Sequence, residues 1–95
     1  MDYKLSRKAE DDVFHLYVEG ARQFGRHQAE AYYAGLEQVF AILKEHPRLA
    51  RERDEITPPV RIHPYRSHIV IYVTDGDDIL ILRIRHGRED WDSVG

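Results

Sequence analysis

The sequence predicts an α+β fold in the order β-α-α-β-β-β, a helical hairpin packed on a small antiparallel sheet. Three observations lead there. Apolar residues recur at helical spacing in two blocks separated by Gly25. From Val60 onward the pattern changes to strand alternation and β-branched runs. Between the last two runs, Asp75-Gly76-Asp77-Asp78 has the composition of a tight hairpin turn. The 95 residues are expected to form a single domain, 1–95, that buries only about 60% of its unfolded surface. A domain this small is only moderately stable alone, which leaves room for a stabilising partner. It contains no cysteine, so neither a disulfide nor a thiolate metal site staples it.

Each element has its own signals. Tyr3-Lys4-Leu5 reads as a short first strand, and Ser6 as the N-cap of a helix whose early Glu10, Asp11 and Asp12 suit the positive end of its dipole. Ala9, Val13, Leu16, Tyr17, Gly20 and Phe24 then follow helical spacing, and Gly25 ends the run as a left-handed residue. A second helix carries Ala29, Tyr32, Tyr33, Leu36, Val39, Phe40 and Leu43 on one face and closes at Lys44-Glu45-His46-Pro47. Both apolar arcs are wide, roughly 200° at the helical angular step, because they continue through Phe14, Val18 and Ala21 in one helix and Ala31, Gly35 and Ile42 in the other. Most of that excess is expected between the two helices, where small residues allow close approach, and the remainder suits a partner helix. Residues 48–59 are charged, end in Thr57-Pro58-Pro59 and read as a loop. Val60-Arg61-Ile62-His63 alternates, and residues 68–74 are a β-branched run.

Composition narrows the function. Met1-Asp2-Tyr3-Lys4 leads into no apolar run of signal or membrane-spanning length, and the longest aliphatic stretches, 69–73 and 79–82, are strand-sized. The expectation is a soluble, cytoplasmic protein with no membrane partner. A net charge of -3 argues against a general nucleic-acid coat. Its distribution is uneven, however: lysine occurs only at Lys4, Lys8 and Lys44, whereas over 60–88 every Lys or Arg is arginine, namely Arg61, Arg66, Arg83, Arg85 and Arg88. The planar guanidinium fork suits carboxylate, phosphate or stacked partners better than an ammonium does.

The end of the chain concentrates this chemistry. Strand alternation assigns Arg83 and Arg85 to one face with Ile79 and Ile81, and Leu80, Leu82, Ile84 and His86 to the other. With Arg61 on a neighbouring strand and Arg88 beside Trp91 past the strand end, the four arginines are expected to form one positive target-binding patch with an aromatic border. The competing expectation is pairing with Glu89, Asp90 and Asp92 of the tail. The six histidines show no metal-ligand spacing, neither H-x-x-x-H on a helix nor a close pair on a strand, so no metal is expected. No phosphate loop or nucleophile elbow is present, and no cofactor is expected. What remains is binding of an anionic partner, or assistance to in-line RNA cleavage.

Tyr3-Lys4-Leu5-Ser6-Arg7-Lys8-Ala9-Glu10-Asp11-Asp12, Ala29-Glu30-Ala31-Tyr32, the stop from Leu43 to Pro47, Tyr65-Arg66-Ser67-His68-Ile69-Val70-Ile71-Tyr72 and Ile84-Arg85-His86-Gly87-Arg88-Glu89-Asp90 together resemble the RelE/ParE superfamily of bacterial toxins. The resemblance covers nearly the whole chain and implies its compact β-α-α-β-β-β fold, together with an antitoxin whose C-terminal segment wraps the toxin. Within the superfamily, RelE-type members cut messenger RNA, whereas ParE-type members are not nucleases and poison DNA gyrase. His86-Gly87-Arg88-Glu89-Asp90 is similar to the ParE ending, no tyrosine follows Tyr72, and no lysine occurs from Val60 onward. The resemblance therefore implies a non-enzymatic toxin acting on DNA gyrase, held as a hetero-oligomer by a cognate ParD-like antitoxin, with His86 in a structural role. Phe14, Val18 and Ile42 on the hairpin, and Arg61 and Arg83 on the sheet, are the candidate antitoxin contacts. Two alternatives stand beside it: an mRNA endonuclease using Arg61, Arg66, Arg83 and His86, and a non-toxic binding module of the same fold.

Overall fold

The computed structural model describes residues 2–87. Its elements are β1 (Tyr3–Leu5), α1 (Arg7–Phe24), α2 (Arg26–Glu45), β2 (Glu52–Arg53), β3 (Val60–Tyr65), β4 (His68–Asp75) and β5 (Asp78–His86). The strands lie in the order β1-β5-β4-β3-β2. The helical hairpin covers one face of this sheet, in agreement with the expected α+β class. Two details depart from the expectation. The sheet is mixed, because β1 runs parallel to β5 while the other pairs are antiparallel. A parallel neighbour requires a long crossover, and here everything between β1 and β5 serves as one. The 48–59 loop, moreover, contributes the two-residue β2, which pairs Glu52 with Arg61 and Arg53 with Val60.

Ser6 ties the start of α1 to the last strand. Its hydroxyl accepts a hydrogen bond from the Ala9 N–H at 3.0 Å, as an N-cap should, and donates to the carbonyl of Leu82 at 2.7 Å. Its own N–H donates to the carbonyl of Ile81. At the hairpin, Gly25 is the C-cap of α1 and the N-cap of α2 at once, with φ 91° and ψ 157°. The positive φ is what glycine was expected to supply, but ψ lies far from the left-handed helical value, because one residue must reverse the chain.

Two apolar clusters lie on opposite faces of the sheet. Leu36, Phe40 and Leu43 of α2 and Ala9 of α1 pack on Val70, Tyr72, Ile79, Ile81 and Ile84. On the other face Ile56 and Val60 pack on Ile71, with Ile62, Ile69, Val73 and Leu82 partly buried around them. Ile56 shows that the 48–59 loop does more than cross between layers: it covers this second face.

A β-bulge sets which face the arginines occupy. Tyr72 is opposite Ile81 but Ile71 is opposite Arg83, so Leu82 is an extra residue in β5. Alternation is reset there. Ile84 joins Ile79 and Ile81 in the helix-side core, while Arg83 and Arg85 sit opposite Ile71 and Ile69 on the far side. The expected sharing of one face by Arg83, Arg85, Ile79 and Ile81 is thus corrected, since a uniform period of two does not survive a bulge.

Candidate functional site

Of the arginines expected in one patch, Arg61, Arg83 and Arg85 fall within the described residues, and Arg61 is set apart from the other two. Arg61 is opposite Tyr72 on the helix side of β3, with β4 between it and the strand that carries Arg83 and Arg85. Its Nη1 donates to the carbonyl of Ala50 at 2.7 Å. The same turn is pinned by Tyr72, whose buried hydroxyl donates to the carbonyl of Pro47 at 2.9 Å and accepts from the Ala50 N–H. Arg61 therefore fastens the segment that follows α2. Burial raises the phenol pKa of Tyr72 above its ordinary value.

Arg83 has a partner that strand alternation did not reveal. Asp12 of α1 receives Arg83 Nε at 2.8 Å on Oδ2 and Nη2 at 3.1 Å on Oδ1. Oδ2 also accepts the backbone N–H of Ile84 at 3.0 Å. One carboxylate thus binds the guanidinium fork and caps β5 just past the point where β1 stops pairing. The two side chains are only 19% and 17% exposed, which makes this pair more protected than the other ion pairs among the described residues. Arg85 follows on the same strand. Arg88 and Trp91 lie outside the described residues.

At the far end of the sheet the fold gathers residues that are remote in sequence. His68 and His86 are directly opposite each other on β4 and β5, with ring centroids 5.5 Å apart in an edge-on arrangement. The Tyr32 hydroxyl lies 2.7 Å from His68 Nδ1, and the Tyr32 ring meets the edges of both His68 and Tyr65. Burial raises the Tyr32 pKa above its ordinary value. This cluster closes a groove of about 760 Å³ that runs between the hairpin and the β3–β4 turn, with Leu16, Gly20 and Ala29 as apolar wall and Arg66, His68 and His86 at its polar end. Sequence spacing missed the His68–His86 pair because it exists only through strand register.

The hairpin does expose apolar surface. Phe14 is 65% exposed, Ile42 49%, and Val18 is also exposed. Phe24, expected on the core stripe, is exposed as the last residue of α1, and Leu49 is a further exposed side chain that the sequence reading did not single out. Gly35, expected to ease helix–helix contact, instead makes room for Tyr65 of the sheet. No helix of the described residues is long and apolar enough to cross a membrane.

Comparison with known proteins gives consistent matches. Residues 3–91 match the family model described as ParE toxin of type II toxin-antitoxin system, parDE. Toxin ParE3 of Caulobacter vibrioides is 31% identical over 83 residues, covering 87% of this chain and 83% of that protein. Toxin ParE1 of the same organism is 27% identical over 84 residues, covering 88% and 86%. A chain of the structure titled chromosomal ParDE TA system from P. aeruginosa superposes with a TM-score of 0.78 at 23% identity, covering 90% of this chain and 95% of that one, and so shares the fold.

Proposed function

Because the chain belongs to the ParE family of toxins from type II toxin–antitoxin systems, we propose that it arrests growth by poisoning DNA gyrase and is neutralised by a cognate ParD-like antitoxin. The observation that carries this reading is the family match over residues 3–91, which runs through the His86-Gly87-Arg88 ending that resembles gyrase poisons and not RNA-cutting relatives. The geometry of the arginines supports it. An RNA-cleaving centre built from Arg61, Arg66, Arg83 and His86 needs these groups around one phosphate, yet Arg61 and Arg83 lie on strands separated by β4 and each is engaged by a partner within the fold, Ala50 and Asp12. The toxin on this reading is not an enzyme, uses no cofactor and acts in the cytoplasm, where its target is found.

Exposed Phe14, Val18 and Ile42 support a hairpin surface for the antitoxin, and the proposed target contacts are Arg85 together with Arg88 and Trp91, the last two outside the described residues. Arg61 and Arg83 are retained in the proposal only through their exposed edges, since their main bonds are internal. The decisive experiment incubates purified toxin with gyrase and plasmid DNA, and separately with translating ribosomes. Loss of supercoiling or accumulation of cleaved DNA, with messenger RNA intact, is the expected result. Specific RNA cuts by homogeneous protein would overturn the reading.

A further inference from the structure

We propose that the apolar groove between the hairpin and the β3–β4 turn is a seat for the chain's own segment after Gly87, with Trp91 as its anchor. The inference rests on the reading of Trp91 as a target contact in one respect: a ring held in the groove of the free toxin has to leave it to meet a target, so the seat is autoinhibitory. The seating itself is measured on the toxin alone.

The occupant is named by where the described chain stops. Gly87 lies at the polar end of the groove, where its N–H donates to the carbonyl of Ser67 at 2.9 Å, and both Ser67 and His86 line the groove. The segment from Arg88 onward therefore starts at the groove mouth. On α1 the wall extends from Leu16 to Phe24, a stretch of helix about 12 Å long. Trp91 is four residues past Gly87, and such a segment spans about 13 Å when extended. That is enough to bring the ring to the far wall made by Gly20 and Phe24.

The groove offers what an indole needs. A Cβ added at Gly20 would stand 3.7 Å from that of Ala29, so the two helices meet here through their smallest side chains, and about 760 Å³ of space remains. Phe24, 66% exposed, presents an aromatic face at one end. A buried indole N–H requires an acceptor, and the side chains of Glu19, Gln23 and Gln28 along the groove each carry one. Trp91 is the chain's single tryptophan and the one large apolar residue in Arg88-Glu89-Asp90-Trp91-Asp92-Ser93, so covering its ring is the main apolar gain open to that segment. Charge is complementary at the mouth. Glu89, Asp90 and Asp92 flank the ring in sequence, and Arg66 stands at the polar end with its guanidinium over the Tyr65 ring. No ion pair among the described residues uses Arg66. The groove's one acid, Glu19, is already engaged by Arg22 and Gln23.

The single tryptophan makes the test direct. Fluorescence of the full chain, excited selectively at tryptophan, is read in buffer and in urea with iodide as quencher. Expected in buffer are a blue-shifted emission and quenching several-fold weaker than that of N-acetyltryptophanamide. Phe24→Ala and Arg66→Glu, at exposed positions toward opposite ends of the groove, should each shift the emission to the red and strengthen quenching several-fold, with the urea midpoint close to that of the natural protein. In a supercoiling assay Phe24→Ala should inhibit gyrase at several-fold lower concentration than the natural chain. An exposed indole in the natural chain, or full shielding in both folded variants, would overturn the proposal. Shielding lost on dilution would identify the segment of a second copy as the occupant and overturn the intramolecular seat. Unchanged potency of Phe24→Ala with its ring exposed would overturn the autoinhibitory role. A shielded ring in a protein that leaves gyrase untouched would remove the proposed function, and with it that role, while the seat stands.

Discussion

At the scale of single residues, a glycine inside a helix is worth explaining because it costs about 1 kcal/mol relative to alanine. Gly35 is in the middle of α2, and a Cβ there would run into the hydroxyl of Tyr65 and approach its Cζ to 3.0 Å. That hydroxyl donates to the carbonyl of Tyr32 at 2.9 Å, so the missing side chain is what lets β3 dock on the helix. Gly35→Ala should destabilise the fold by about 1–3 kcal/mol, overpacking outweighing the gain in helix propensity. The loss should shrink in a Tyr65→Phe background. Urea unfolding of the four proteins checks this, and strict additivity would contradict it. Tyrosines also set the alkaline limit. Burial raises the pKa of Tyr32, Tyr33 and Tyr72 in the folded chain, so the unfolded chain loses these protons first. Their contribution is fully present below about pH 10 and is lost as pH climbs above it. Urea midpoints should fall between about pH 8 and pH 11, less steeply in Tyr72→Phe than in the natural protein.

At the scale of elements, the sheet edges govern both stability and association. β1 pairs with β5 only as far as Ile81, and from there the edge is held by Ser6 and Asp12. An uncovered strand edge invites pairing with another chain, and a side chain that occupies its N–H blocks that pairing. Asp12→Ala removes three hydrogen bonds and leaves Arg83 without its carboxylate. It should cost about 2–3 kcal/mol, typical of lost charge-assisted bonds at a protected site, and promote self-association. Denaturation together with light scattering checks both effects; an unchanged midpoint would show that the pair is idle. This bond also decides how the arginines are to be studied. Arg83→Ala mixes a folding effect with any functional one, so Arg85→Ala is the cleaner probe of growth arrest.

At the scale of the whole molecule, the hairpin's outer surface tests the partnership with an antitoxin. Phe14 and Ile42 are exposed, so Phe14→Asp and Ile42→Asp should change folding stability by no more than about 0.5 kcal/mol. The same changes in a helix-binding surface should weaken antitoxin binding at least about tenfold, because a carboxylate is then desolvated against apolar atoms. Calorimetry with the cognate antitoxin measures this. Unchanged affinity would move the interface away from these residues, and unfolding would contradict their exposure.

The class of fold, both helices, the meander strands and the family resemblance follow from the order of residues alone. These rest on local properties: helical spacing from Ala9 to Leu43, the capping hydroxyl of Ser6, the β-branched runs and the Gly76 turn, where φ is 64°. Exposed Phe14, Val18 and Ile42 were likewise legible as apolar surface beyond what one core face uses. The parallel pairing of β1, the separation of Arg61 from Arg83, the Asp12 latch and the meeting of Tyr32, His68 and His86 arise on folding. The physical reason is common to all four. Register and a single inserted residue, Leu82, determine which side chains meet across a sheet, and neither leaves a mark on the local pattern of polar and apolar residues.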